Sequence, residues 1–274
     1  MIRGGAAICA GAIIAGLAAE SLACAATFQG QAVQGGLVVG RAAPGARVKI
    51  AGGAVRVSPD GLFLVGFGRD APKSVTVAVT EKGKPPLPCE IAVEAREYKI
   101  TRIDGLPKRK VTPRLPEDLK RIRTDNAAIG KVRARATPAT DFAGGFIWPL
   151  KGRLSGVYGS QRILNGKPRR PHNGTDIAAP TGTPIRATAP GVVALAHPDM
   201  FLSGKTVMID HGHGLSSVYI HMSAITVRRG QKVAQGDQIG KVGMTGRATG
   251  PHLHWGMSLF KTALDPALLA GPQK

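Results

Sequence analysis

The histidines of this chain are confined to one part of the sequence. All of them lie within the last 103 of 274 residues, at positions 172, 197, 211, 213, 221, 252 and 254. Imidazole is the commonest protein ligand of zinc and the side chain best suited to move protons near neutral pH. The distribution therefore predicts a metal site or a proton-transfer site in the C-terminal part of the chain.

Two spacings among these residues suit metal binding. In His252-Leu-His254 a single intervening residue places both imidazoles on one face of a strand, because side chains alternate. In His172-Asn-Gly-Thr-Asp176 the Asn-Gly pair, with Pro171 before it, favours a loop that enters a strand. A bent backbone would then bring the nitrogen and the carboxylate together, and both are suitable zinc ligands.

A third histidine follows a short apolar run. Tyr219-Ile-His221 predicts, by strand alternation, that Tyr219 and His221 share a face. We interpret the remaining histidines as surface or turn residues without a role in the site: His197, His211 and His213.

Some residues and motifs are missing from the histidine-rich region, and their absence excludes particular catalytic mechanisms there. The chain has no glutamate after Glu117 and no cysteine after Cys89, and it lacks a G-x-S-x-G sequence. This excludes the glutamate base of H-E-x-x-H metallopeptidases and cysteine catalysis from the histidine-rich region. An amide-hydrolysing site there would need a histidine or an aspartate to move the proton.

Three motifs in order resemble the lysostaphin-type (LytM-like) zinc peptidases of bacterial cell walls. They are H-x-x-x-D at His172 to Asp176, Y-x-H at Tyr219 to His221, and T-G-R-A-T-G-P-H-L-H at Thr245 to His254. The match covers roughly residues 148–255. The resemblance implies that His172, Asp176 and His254 bind zinc, and that His221 and His252 are the catalytic histidines, without indicating which is the general base.

The resemblance also implies an activity. We expect an exported zinc endopeptidase that hydrolyses peptide cross-links of peptidoglycan, with D-alanyl-diaminopimelate links preferred over glycine bridges. Some relatives place a tyrosine just before the first ligand to support the oxyanion; since residues 161–170 contain none, Arg162 or Tyr158 is the candidate substitute. The alternative is a catalytically silent regulator or binding module of another cell-wall hydrolase.

The elements that must position these residues are predicted to be strands. Apolar alternation recurs in Val192 to Ala196, Lys205 to Ile209, Ser216 to Ile220, Lys232 to Val242 and His252 to Leu259, which predicts an all-β peptidase domain at 147–266. A second alternating region, with Val75, Val77 and Val79 on one face, predicts a small β-sandwich-like domain at 26–98. Within it, Pro59-Asp-Gly61 indicates a hairpin turn.

A basic linker at 99–146 joins the two predicted domains. Between Lys99 and Arg135 there are twelve Lys or Arg residues against four Asp or Glu residues. Pro116-Glu-Asp118 predicts the start of a helix that ends near Arg135. The segment is either an arm that binds anionic wall polymer or covers the site, or a solvated connector.

The N-terminus predicts export. An apolar run at 6–19 is too short to span a bilayer, and Ala23-Cys24-Ala25 suits signal peptidase cleavage after Ala25. We therefore expect a leader at 1–25, a periplasmic mature protein without a transmembrane anchor, and an unpaired, buried Cys89; acylation at Cys24 is the alternative.

The net charge of +20 suits an anionic wall polymer, whereas nucleic acid is not expected because aromatic stacking motifs are lacking.

Overall fold

A computed structural model describes residues 24–103, 115–164 and 166–273. The predicted leader at 1–25 lies almost wholly outside these residues. Within the described residues no helix is long and apolar enough to cross a membrane. The structure is mostly β-sheet, as predicted.

The first unit is a sandwich of two antiparallel sheets. One sheet has the order β1-β2-β5 and the other β4-β3-β6-β7. Their inner faces share one core, in which Val77 and Val79 are completely buried, as the alternation predicted. The strands are β1 (Ala26–Gly30), β2 (Leu37–Ala42), β3 (Arg47–Ile50), β4 (Gly53–Val55), β5 (Leu62–Gly66), β6 (Ser74–Thr80) and β7 (Leu87–Ala92).

The turn at Pro59 to Gly61 does not close a hairpin. β4 pairs with β3, whereas β5 pairs with β2, so the turn carries the chain from one sheet to the other. The amide of Gly61 donates to the Ser58 carbonyl at 2.9 Å, and Ser58 Oγ accepts from the Leu62 amide. A local turn signal cannot distinguish these connections, because the strand partners are chosen by long-range packing.

The prediction of an unpaired Cys89 is wrong. Cys24 and Cys89 form a disulfide that ties the chain before β1 to β7 across 65 residues of sequence. Cleavage after Ala25 would remove Cys24, and acylation would need the same sulfur atom, so neither is compatible with this bond. Spacing between two cysteines does not predict their approach, because sheet topology brings them together.

The linker contributes a strand and a helix, and both pack on the second unit. β8 (Ile100–Ile103) runs parallel to β10 (Gln161–Leu164), and α1 spans Pro116–Arg133. The helix begins at the predicted proline; Glu117 and Asp118 lie in its first turn, and Lys131 and Arg133 in its last, which suits the helix dipole. Val132 of α1 packs on Ala194 and Met208, so one face of the helix is not solvated.

The second unit is built on one large sheet with the order β18-β14-β15-β16-β20-β12-β9, and β21 also pairs with β20. A smaller sheet, β13-β19-β17, packs against it around a shared core. The predicted strand over Lys232 to Val242 is two short strands separated by a turn. The elements are β9 (Arg153–Gly156), β11 (Lys167–Pro168), β12 (Thr175–Ala178), β13 (Pro184–Arg186), β14 (Gly191–Met200), β15 (Gly204–Gly212), β16 (Leu215–Met222), β17 (Ala224–Ile225), β18 (Lys232–Val233), β19 (Gln238–Lys241), β20 (His252–Leu259), β21 (Thr262–Leu264) and α2 (Pro266–Ala270).

The two units are packed against each other. Leu37 and Leu64 of the sandwich share an apolar cluster with Phe142, Met257 and Leu264. An ion pair joins Arg96 to Asp265 at 2.9 Å, and the Asp265 side chain is only 6% exposed. The interface therefore combines apolar burial with a charge pair that water screens weakly.

Candidate metal centre and catalytic histidines

Strand pairing in the large sheet brings the first two candidate ligands together. β12 runs antiparallel to β20, and this register places Asp176 opposite His254. Facing side chains on neighbouring antiparallel strands have Cβ atoms about 5 Å apart. Two residues 78 positions apart in sequence therefore become neighbours through backbone hydrogen bonding alone.

The third candidate, His172, reaches the same point from the loop before β12. His172 Nε2 lies 3.1 Å from Asp176 Oδ1 and 2.9 Å from His254 Nδ1, and His254 Nδ1 lies 2.8 Å from Asp176 Oδ1. The three atoms thus form a compact triangle. The bent loop that the sequence predicts between His172 and Asp176 is present.

Backbone hydrogen bonds fix the orientation of His172. Its Nδ1–H donates to the Val157 carbonyl at 3.1 Å, which leaves the Nε2 lone pair facing Asp176 and His254. The main chain is held as well, because the His172 amide donates to Ser160 and the His172 carbonyl accepts from Gly159. Such outer partners are what orient a metal-binding histidine.

Two glycines make room for the triangle. A Cβ built on Gly156 of β9 would lie 2.4 Å from Asp176 Oδ2, and one on Gly174 would lie 2.9 Å from two atoms of the His254 ring. A larger residue at Gly156 would displace Asp176, and one at Gly174 would press on the Trp255 carbonyl as well as on the His254 ring. Spacing rules did not single out either glycine, because the close approach arises between different strands.

The donor atoms of this triangle fit a metal ion. Burial alone would raise the pKa of Asp176, but the close approach of His172 and His254 outweighs burial and holds that pKa well below its usual range. An ionised carboxylate and two imidazole nitrogens converge within 3.1 Å of each other. This is the ligand chemistry of a three-residue zinc site, for which bond lengths of about 2.0–2.2 Å are usual.

His221 is at the end of β16, and its side chain does not lie where strand alternation places it. Tyr219 is completely buried in the core, and regular alternation would bury His221 beside it. Instead His221 has φ of 64°, and its ring centre lies 4.8 Å from that of His252. The left-handed residue turns the side chain to the opposite face, so the prediction that Tyr219 and His221 share a face is wrong.

The rings of His221 and His252 are held in the same way. His221 Nδ1–H donates to the Thr245 carbonyl, and His252 Nδ1–H donates to the Gly250 carbonyl, each at 2.8 Å. Both bonds leave Nε2 as the basic nitrogen. Burial lowers the pKa of His221 to about 4, although the Thr245 carbonyl opposes this shift and His252 adds to it. The lowered pKa favours the neutral imidazole of His221 near pH 7, with the lone pair on Nε2.

Thr245 supports His221 and was not singled out by the sequence. Its Oγ1 accepts from the Lys205 amide at 2.9 Å and donates to the Met222 carbonyl at 2.8 Å. One residue thereby joins β15 to β16, the strand that contains His221, while its own carbonyl holds the imidazole. Its place at the start of T-G-R-A-T-G-P-H-L-H was the only available signal.

The remaining histidines lie away from this cluster. His211 is completely buried, with its ring nitrogens near the Pro190 carbonyl and Ser217 Oγ. His213 is buried against Phe142 at 5.2 Å between ring centres, and His197 is half-buried on β14. His211 is thus an interior strand residue and not the surface or turn histidine predicted, whereas His213 lies in the turn between β15 and β16, as predicted, although it is buried.

Of the two oxyanion candidates, the structure describes the side chain of Tyr158, which lies outside the cluster. The Tyr158 hydroxyl donates to the Ala263 carbonyl at 2.9 Å and its ring packs on Tyr98, and burial raises its pKa. Its hydroxyl is therefore committed to a hydrogen bond within the second unit. The side chain of Arg162 lies outside the described part of the structure.

Comparison with known proteins agrees with this arrangement. The family model described as Peptidase family M23 matches residues 170–266. Over 108 residues the chain is 44% identical to the peptidoglycan DD-endopeptidase ShyA of Vibrio cholerae. The alignment covers 38% of this chain and 24% of ShyA. Over 129 residues it is 36% identical to the cell division protein DipM of Caulobacter vibrioides, covering 47% of this chain and 20% of DipM. The chain thus spans about a quarter or less of these relatives.

A crystal structure from Pseudomonas aeruginosa, assigned to peptidase M23, matches over nearly its whole length. Identity is 34%, the TM-score is 0.68, and the match covers 88% of this chain and 96% of the other. The likeness includes both β units and not only the region of the family model. This chain belongs to peptidase family M23.

Proposed function

We propose that the chain is an exported, zinc-dependent endopeptidase that cleaves peptide cross-links in peptidoglycan. The observation that carries the proposal is the triangle of His172, Asp176 and His254 beside two histidines whose basic nitrogens are free of the backbone bonds. The name of ShyA, a peptidoglycan DD-endopeptidase, supports the substrate class. It also favours D-alanyl-diaminopimelate links over glycine bridges.

Each side chain has a distinct part in this proposal. His172, Asp176 and His254 would hold zinc, which would supply the Lewis acidity that activates water and polarises an amide carbonyl. His221 would accept the proton of the attacking water at Nε2, the ring nitrogen that its bond to the Thr245 carbonyl leaves available. His252 lies beside it and can donate a hydrogen bond to the developing oxyanion or return the proton to the leaving amine.

Export is supported by the disulfide. A bond between Cys24 and Cys89 is typical of proteins that fold in an oxidising compartment such as the periplasm. A leader compatible with this bond ends at or before Ala23. The sequence Ser21-Leu-Ala23 offers small residues at the two positions that signal peptidase reads.

The test combines metal analysis with digestion of purified sacculi. Wild type is expected to contain one equivalent of zinc and to release cross-link products from diaminopimelate-type sacculi, identified by mass spectrometry. His221→Ala should keep the zinc and lose activity by on the order of 10²- to 10⁴-fold. His197→Ala, a histidine outside the cluster, should stay near wild type.

Two outcomes would contradict the proposal. Stoichiometric zinc without hydrolysis of any sacculus would favour a regulator that retains the ligands. Release from glycine-bridged wall alone would refute the cross-link assignment while leaving the endopeptidase assignment intact.

A further inference from the structure

We propose that helix α1 of the linker positions the catalytic histidine His221, and that Asp125 is the residue through which it acts. The catalytic part of this inference rests on the proposed function. The contacts between α1 and His221 are independent of that function, because they are hydrogen bonds among the described residues.

The first contact joins the helix to the turn between β14 and β15. Asp125 Oδ2 accepts from the Phe201 amide at 2.8 Å, and the bond is partly buried. Four residues earlier on α1, Arg121 pairs with Asp199 at 2.9 Å, but both side chains are more than half exposed. An exposed ion pair contributes little, so Asp125 holds the turn and Arg121 adds to it.

The second contact joins the turn to His221. The Ser203 carbonyl accepts from the His221 amide at 2.9 Å, and the neighbouring Leu202 carbonyl accepts from the Arg247 amide at 2.8 Å. The turn therefore holds the backbone of His221 directly. It also holds the loop containing Thr245, whose carbonyl fixes the His221 ring.

This junction has little space in which to relax. A Cβ on Gly204 would lie 2.2 Å from Thr245 Oγ1, and one on Gly246 would lie 2.4 Å from the Gly204 amide nitrogen. A displacement of the turn must therefore move the Thr245 loop with it. Closely packed elements transmit small shifts in this way.

His221 needs such support because its backbone is in an unfavourable region. A non-glycine residue at φ of 64° is strained and persists only where its surroundings hold it. Regular strand geometry would turn the ring into the core beside Tyr219. Loosening the turn at Ser203 removes one of the bonds that oppose that change.

The experiment compares two substitutions of one side chain. Asp125→Ala removes the acceptor of the Phe201 amide, and we expect kcat to fall by about tenfold, since sub-ångström misplacement of a catalytic group is costly. KM and zinc content should not change, because no ligand is touched. Asp125→Asn should remain near wild type, because an amide oxygen can accept the same bond. Glu117→Ala, which removes an exposed carboxylate of the same helix, is the control.

A second measurement does not depend on catalysis. The imidazole ¹⁵N and ¹³C resonances of His221 should shift in Asp125→Ala and stay in place in Asp125→Asn and Glu117→Ala. If wild type hydrolyses no sacculus, the proposed function fails, whereas these resonances still decide whether α1 positions His221. Wild-type kcat with unchanged His221 resonances in Asp125→Ala, or an equal loss in the alanine and asparagine variants, would overturn the inference.

Discussion

Replacing Gly156 with alanine is expected to weaken metal binding without touching a ligand. The added Cβ would lie 2.4 Å from Asp176 Oδ2, 3.0 Å from its Cγ and 3.2 Å from its Cβ, where ordinary contact begins at 3.4 Å. The whole side chain of Asp176 is therefore in the way. A rotation of one carboxylate oxygen cannot relieve the overlap.

The size of the effect follows from these distances. To restore ordinary contact the carboxylate must move by about 1 Å, which is half the usual zinc–oxygen bond length of about 2.0–2.2 Å. Asp176 Oδ1 would leave its positions 2.8 Å from His254 Nδ1 and 3.1 Å from His172 Nε2. Changes that disturb ligand orientation typically cost 10- to 100-fold in metal affinity, and we expect a loss of that size.

The assay is zinc competition against a chromogenic chelator at a fixed free-zinc concentration, with thermal unfolding of the metal-free proteins alongside. Gly144→Ala is the matched control, because nothing lies within 4 Å of a Cβ built there. Loss of zinc affinity in Gly156→Ala, with a folded metal-free protein, supports the reasoning. Wild-type zinc affinity in a folded Gly156→Ala protein would refute it.

Three further outcomes are expected. Cys89→Ser should lower the free energy of unfolding by about 4 kcal/mol, the value for a disulfide that closes a loop of this length, and urea titration measures the change. An equal free energy of unfolding for wild type with and without reductant would contradict the stabilising role of the disulfide with Cys24. Burial lowers the pKa of His211 below its ordinary 6.5, so as pH falls the unfolded chain binds this proton before the folded chain does, and the free energy of unfolding should decrease below about pH 6.5. Urea titrations of the metal-free protein from pH 8 to 5 should therefore show a shallower decline in His211→Gln than in wild type. An equal decline in the two proteins would refute the assignment. Arg96→Met should lower the free energy of unfolding by about 3 kcal/mol because it leaves the buried Asp265 without its ion-pair partner. Additional substitution of that aspartate by asparagine should recover part of the loss. An unchanged free energy of unfolding in Arg96→Met would show that solvent screens the pair.

The chemistry of the candidate site could be predicted largely from sequence. Histidine distribution and the H-x-H spacing depend only on composition and strand alternation, which are local. The absence of glutamate after Glu117 excluded the H-E-x-x-H mechanism from the sequence alone. The start of α1 at Pro116 was equally local, because proline and acidic residues suit a first helical turn. The division into ligands and catalysts came from the family resemblance, and the experiments above test it.

Other features depended on contacts between residues far apart in the chain. The Cys24–Cys89 bond and the Pro59–Gly61 connection both followed from which strands pair, and no local pattern contains that choice. Tyr158 was near the first ligand in sequence, yet packing within the second unit directed its hydroxyl to Ala263.

His221 shows the division most clearly. Its residue type and its place after Tyr219 marked it as a candidate from sequence alone, but alternation placed its ring on the wrong face. The left-handed backbone at His221 is held by Ser203 and its ring by Thr245, and these two residues lie on separate turns of the chain. The sequence therefore determined which side chains could do the chemistry, whereas tertiary hydrogen bonds decided where the central one points, because only they can hold a strained backbone in place.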